Sequence, residues 1–117
     1  LSGYFKSIIF RIQRKIKKKY LIELPDKVLR ITLGAKSSTS KTNPHIDHKD
    51  EKFWTILGFL NPVWNSKDGG HLILEDKKID YLPGRFIVFP SNLEHNGGYI
   101  ENKELNYWRI SLNIILY

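Results

Sequence analysis

The sequence predicts a mainly β fold, a sandwich or barrel-like roll with one N-terminal amphipathic helix packed on a sheet. Two observations carry that expectation. Phe5, Ile8, Ile9, Ile12, Ile16 and Tyr20 recur at spacings of three and four, the signature of one helix face, so residues from about 3 to 20 form a helix. Beyond Pro25 the texture changes to short β-branched and aromatic runs between Gly, Pro, Asn and Asp clusters, and no second helix of useful length follows. The runs are Val28 to Leu33, Phe53 to Leu60, His71 to Leu74, Phe86 to Phe89, Tyr99 to Ile100 and Trp108 to Leu116. Turns fall at Asn61-Pro62, Lys67-Asp68-Gly69-Gly70, Leu82-Pro83-Gly84, Pro90-Ser91-Asn92 and Asn96-Gly97-Gly98. The small, polar stretch from Gly34 to Lys41 reads as a mobile loop.

With 117 residues, 41% apolar and 26% charged, the chain reads as a single domain, a basic helix over 1–22 followed by a β-roll over 23–117. The absence of Cys excludes disulfides, thiolate zinc sites, iron-sulfur ligation and a cysteine nucleophile. Leu stands first and Met is absent, so the sequence reads as processed, truncated or part of something longer. Lys6, Arg11, Arg14, Lys15, Lys17, Lys18 and Lys19 account for the whole net charge of +7, because the remainder holds 12 bases against 12 acids. A balanced body argues against a nucleic-acid partner. The helix has two readings: a terminal element that buries its Ile face and leaves its bases in water, or an anchor on an anionic membrane surface. No apolar stretch approaches a membrane span and the opening is too charged for a signal peptide, so a cytoplasmic location is expected.

Pro44-His45-Ile46-Asp47-His48-Lys49-Asp50 packs two His and two Asp into seven residues, and His95 stands alone far downstream. Residues two apart on a strand share a side, so His45 and Asp47 can aim an imidazole and a carboxylate at one point. If a neighbouring strand brings His95 there, the three form a facial set of two nitrogens and one oxygen that suits non-haem Fe(II) and leaves positions open. His48 and Asp50 repeat the spacing on the other face. The first pair is preferred because Ile46 can pack behind it, whereas Lys49 suits solvent. His71 reads as a half-exposed histidine without a catalytic role.

The last strand is a second signal. Trp108, Ile110, Leu112, Ile114 and Leu116 form an apolar face opposite Arg109, Ser111 and Asn113. A strand packed in this way sends Arg109 into a cavity or onto a buried anion. Its planar fork matches a carboxylate, and Ser111 can supply a further hydrogen bond, so the two read either as a carboxylate clamp or as a structural pairing with one of the chain's own acids.

These residues together resemble the 2-oxoglutarate- and Fe(II)-dependent oxygenase superfamily, and most closely its prolyl-hydroxylase-like branch. The likeness runs from about Val28 to Asn113. Pro44-His45-Ile46-Asp47 is similar to the family's first metal motif, Thr55 to Asn61 to its strand ending in Leu-Asn, Trp64 through Gly69-Gly70-His71-Leu72 to its Trp and Gly-Gly-x-Leu turn, and Pro83-Gly84 through Ser91 to the stretch before its distal His. The resemblance implies a double-stranded β-helix of jelly-roll or cupin-like form, with His45, Asp47 and His95 holding Fe(II). It also implies that Arg109 and Ser111 grip the far carboxylate of 2-oxoglutarate, with Thr55 in the same pocket and Asn61 or Trp64 at the substrate entrance. The reaction implied is hydroxylation of a C–H bond with O₂, while 2-oxoglutarate is decarboxylated to succinate. Val28 to Leu33 lacks the Tyr that related oxygenases often carry before the first His, and Thr32 is its only hydroxyl. The chain is short for the family, so loop residues near 37–42 read as a place where residues are missing. A cupin-like binding module without catalysis, a zinc hydrolase and an anchoring protein are the competing readings.

Overall fold

The computed structural model describes residues 2–40 and 42–117. Lys41, within the expected loop, lies outside the described residues. Helix α1 spans Gly3–Tyr20 and starts at Ser2, whose Oγ accepts the Phe5 N–H. It stops at Leu21, which turns left-handed while its N–H still bonds the Lys17 carbonyl. Lys17, Lys18 and Lys19 fill the last turn, where cations complement the helix dipole.

Seven strands follow: β1 (Val28–Lys36), β2 (Trp54–Phe59), β3 (Leu72–Leu74), β4 (Lys77–Ile79), β5 (Phe86–Pro90), β6 (His95–Asn96) and β7 (Arg109–Leu116). They form two antiparallel sheets, a four-stranded one in the order β1-β7-β2-β5 and a three-stranded one in the order β4-β3-β6. The architecture is mainly β with one helix, compatible with a jelly roll.

Three boundaries differ from those expected. Gly34, Ala35 and Lys36 belong to β1 rather than to a loop, because their pairing with Ser111, Ile110 and Arg109 continues to the end of β7. Tyr99 and Ile100 form no strand; Ile100 makes only an isolated bridge to Gly69. The short strands β4 and β6 have no apolar run to announce them and exist through pairing with β3.

Side chains alternate across the four-stranded sheet and divide the core in two. On the outer face, Ile56, Leu112, Ile114 and Leu116 pack with Ile9, Phe5, Ile12 and Ile16 of α1. Each such burial contributes about 2 kcal/mol, enough to hold down a helix whose bases repel one another. Tyr20, expected on the packed face, is exposed. The inner face meets the small sheet through Leu57, Phe59, Leu72, Phe89, Trp64 and Tyr81. Between the sheets this inner core leaves a cavity of about 490 Å³.

Candidate active site

His45 lies outside any strand, yet its backbone is fixed by two hydrogen bonds with β6, each of 2.9 Å: its N–H to the His95 carbonyl and the His95 N–H to its own carbonyl. Two residues on, the N–H groups of Asp47 and His48 both donate to the Ser91 carbonyl. This double attachment brings His45, Asp47 and His95 together, with one potential ligand atom from each lying within 4.8 Å of the others. Asp47 Oδ1 is 3.5 Å from His45 Nε2, and Oδ2 is 3.4 Å from His95 Nε2. The side chains of Asp47 and His95 are 5% and 4% exposed, whereas that of His45 is 54% exposed. The group is therefore rooted in the core and open on the His45 side.

The carboxylate is held from behind. Thr55, completely buried on β2, donates its hydroxyl proton to Asp47 Oδ2 at 2.8 Å. That proton is then committed, so the Ser91 hydroxyl, 2.7 Å from Thr55 Oγ1, must donate to it. Burial alone raises the Asp47 pKa, but the hydrogen bonds from His95 and Thr55 and the charges of the two histidines outweigh it and hold the carboxyl below its ordinary value. Burial likewise depresses His95, and its contact with Asp47 and the Leu93 carbonyl reverses the effect, leaving the imidazole pKa raised.

Arg109 opens β7 and is 3% exposed. Its Nε donates to the Gly70 carbonyl at 2.6 Å, and the guanidinium lies 5.0 Å from the Tyr81 ring centroid and 5.5 Å from that of Phe59. Gly70 has a positive φ of 74°, and a Cβ there would meet the Trp64 ring at 2.8 Å and Arg109 Cδ at 3.2 Å, so the Gly-Gly turn sets the arginine in place. Burial pushes the Arg109 pKa down to about 10, against an opposing effect of Tyr81. Among the described residues no carboxylate lies within ion-pair distance of Arg109, and its Nη2 is buried without a hydrogen-bond partner. Asn113 Oδ1, two rungs along the same strand face, is also buried without one. Arg109, Ser111 and Asn113 line the cavity that His45 and His95 border from the other side.

A buried cation without an acid, in a cavity bordered by both histidines of a two-histidine, one-carboxylate group, is the arrangement expected of an oxygenase that uses an acidic cosubstrate. The 2OG-Fe(II) oxygenase superfamily model matches residues 30–117, from the third residue of β1 to the last residue. The chain belongs to the 2OG-Fe(II) oxygenase superfamily. No curated protein and no solved structure matches it. Membership implies Fe(II) and 2-oxoglutarate, and the donor chemistry fits the metal. The Nδ1 atoms of His45 and His95 lie 3.1 and 3.0 Å from the carbonyls of Asn43 and Leu93. A carbonyl only accepts, so each Nδ1 carries the proton and each Nε2 faces the carboxylate either protonated or with a lone pair that a metal ion can take. Proton and metal compete for the same two atoms.

Other expected positions of this oxygenase lie elsewhere. Thr55, expected in the cosubstrate pocket, stands behind Asp47 with both roles of its hydroxyl used. Asn61 and Trp64, expected at the substrate entrance, are core residues: the Asn61 side chain bonds the Trp108 carbonyl, the Ile110 N–H and the Tyr81 hydroxyl, while Trp64 Nε1 donates to the Gly69 carbonyl. His48 stacks on Phe53 at 3.6 Å and accepts the Asp50 N–H, so the second His-x-Asp pair forms a local turn outside the metal group. His71 is half-buried and also outside it. Sequence reasoning passed over Ser91 and Lys36. The signal for Lys36 was the alternation Arg30, Thr32, Gly34, Lys36, a polar phase hidden by ending the strand at Leu33; all four border the cavity. Among the described residues, no helix is long and apolar enough to cross a membrane.

Proposed function

We propose that this oxygenase is an Fe(II)- and 2-oxoglutarate-dependent dioxygenase of the prolyl-hydroxylase-like branch, built on a double-stranded β-helix, which hydroxylates a C–H bond of its substrate. The observation that carries the reading is Arg109: a buried guanidinium with an unused Nη2, no acid beside it among the described residues, and a cavity shared with His45 and His95, the two histidines grouped with Asp47. A zinc hydrolase would have no use for that cation, and a structural arginine would have found an acid of its own.

His45 Nε2, Asp47 and His95 Nε2 would hold the iron on one face, with Thr55 and Ser91 fixing the carboxylate and the Asn43 and Leu93 carbonyls fixing the ring tautomers. Arg109 and Ser111 would orient 2-oxoglutarate by its far carboxylate, the fork of Arg109 supplying a charge-assisted hydrogen bond from Nη2. When bound, iron and cosubstrate supply the redox chemistry, in which one oxygen atom of O₂ ends in succinate, with release of CO₂, and the other in the hydroxylated product. The chain's own residues then bind, orient and exclude water, and none need act as a general base. Leu57 and Leu72 wall the cavity against solvent on its inner side, while the exposed flank of His45 gives the substrate its approach.

Anaerobic titration of the Fe(II)-loaded protein with 2-oxoglutarate tests this reading directly. A visible charge-transfer band that saturates with 2-oxoglutarate, followed by succinate formation on admitting O₂, is the expected result. A protein that binds iron but gives neither band nor succinate is a binding module instead.

A further inference from the structure

Lys36 ends β1 directly opposite Arg109 in the β1–β7 register, on the phase of the strand that faces the cavity. It is half-buried, and among the described residues it has neither a hydrogen bond nor an ion pair from its ammonium group. Two cations thus stand side by side on the cavity wall, Arg109 donating from Nε to the Gly70 carbonyl and neither paired with an acid among the described residues. Burial and the neighbouring guanidinium both depress the Lys36 pKa, and Lys36, Arg109 and His95 line the same cavity.

The room for it is made by Gly97. This glycine has an ordinary φ, so no backbone requirement explains it. A Cβ there would come within 2.5 Å of Lys36 Nζ and 3.7 Å of Arg109 Nη1, so the absence of a side chain lets both cations converge on one space. Two unneutralised cations repel each other and cost desolvation, an arrangement that becomes favourable when an anion sits between them.

We propose that Lys36 is a second cationic anchor for the far carboxylate of the 2-oxo acid, acting beside Arg109 and making the site selective for dicarboxylates over monocarboxylates. This inference rests on the cavity being the 2-oxoglutarate site. Lys36 keeps its length and stem packing in Lys36→Met but loses the charge, while Lys36→Arg restores the charge and Gly97→Ala displaces the ammonium without altering Lys36 itself.

The test is calorimetric titration of the anaerobic, Fe(II)-loaded protein with 2-oxoglutarate and with 2-oxobutanoate, which has the same 2-oxo acid head but no far carboxylate. Lys36→Met should weaken 2-oxoglutarate roughly tenfold and leave 2-oxobutanoate within about twofold, the expected loss of one charge-assisted contact. Lys36→Arg should recover most of the affinity, and Gly97→Ala should lose selectivity in the same direction as Lys36→Met. Equal weakening of both acids would make Lys36 a structural residue and overturn the proposal, as would an unchanged affinity for 2-oxoglutarate. If the wild-type protein gives the 2-oxoglutarate band but Lys36→Met keeps full selectivity, this inference alone fails. A wild-type protein that binds neither acid overturns it together with the oxygenase reading.

Discussion

The two faces of the four-stranded sheet are made by the same strands and differ in almost everything else. On β7, Leu112, Ile114 and Leu116 point outward under α1 and are at most 1% exposed, with apolar neighbours on every side. Arg109, Ser111 and Asn113, alternating with them, point inward and leave Arg109 Nη2 and Asn113 Oδ1 buried without partners. The outer face has what a stable fold needs; the inner face carries desolvation costs at Arg109 Nη2 and Asn113 Oδ1 that no hydrogen bond among the described residues offsets. The difference teaches that period-two alternation lets one strand be core and site at once, with the outer layer stabilising a sheet whose inner layer is arranged for a ligand.

That division is broken most severely at the metal group. Asp47→Ala removes its only acid and should abolish both iron binding and iron-dependent succinate formation with the far-UV circular dichroism retained. His48→Ala, outside the group, should keep most activity. An essential His48 beside a dispensable Asp47 would move the site to the second pair. The next largest effect belongs to the opposite face. Ile114→Ala should destabilise the fold by about 3 kcal/mol, from lost burial and the cavity left behind. The folded fraction should bind 2-oxoglutarate as the wild type does, as read by denaturant unfolding alongside titration.

Arg109→Met should give the reverse pattern. Loss of a charge-assisted, desolvated contact weakens 2-oxoglutarate by roughly 30- to 100-fold while iron affinity changes little. Stability should hold or rise, because a buried cation without an acid partner is exchanged for an apolar side chain of similar length. Equal loss of iron and 2-oxoglutarate binding would mean that the arginine holds the fold together instead.

The helix and the alternation on β7 were legible because each follows from a local period, three to four residues for α1 and two for β7; His45 and Asp47 were legible as a closely spaced His-x-Asp pair, although neither lies on a strand. His95 was legible only as a lone histidine, since its approach to His45 depends on an isolated bridge between segments fifty residues apart. Asn61 shows the limit more sharply. A polar residue at a strand end reads as a pocket residue, yet here its amide receives the Ile110 N–H and the Tyr81 hydroxyl in the core, partners that only the folded chain supplies. Lys36 was hidden for a different reason. Gly34 and Ala35 carry no β-branched signal, so local preference alone ends the strand before the residue that faces Arg109, and cross-strand pairing with β7 overrides that weak preference.

Thr55 gives the smallest effect and the finest test of the inner face. Its hydroxyl was expected to meet the cosubstrate, but it passes a hydrogen bond from Ser91 to Asp47 and touches the cavity through neither. Thr55→Val keeps the volume and deletes the relay, leaving Asp47 Oδ2 without its hydroxyl donor and the Ser91 hydroxyl without its acceptor. Because such supporting contacts orient a ligand rather than bind the ion, iron affinity should fall about tenfold. The 2-oxoglutarate affinity of the iron-saturated protein should stay within about twofold, since the carboxylate clamp on β7 is untouched. Iron titration and 2-oxoglutarate titration on the one variant separate the two roles. A protein that keeps its iron and loses 2-oxoglutarate would return Thr55 to the cosubstrate pocket.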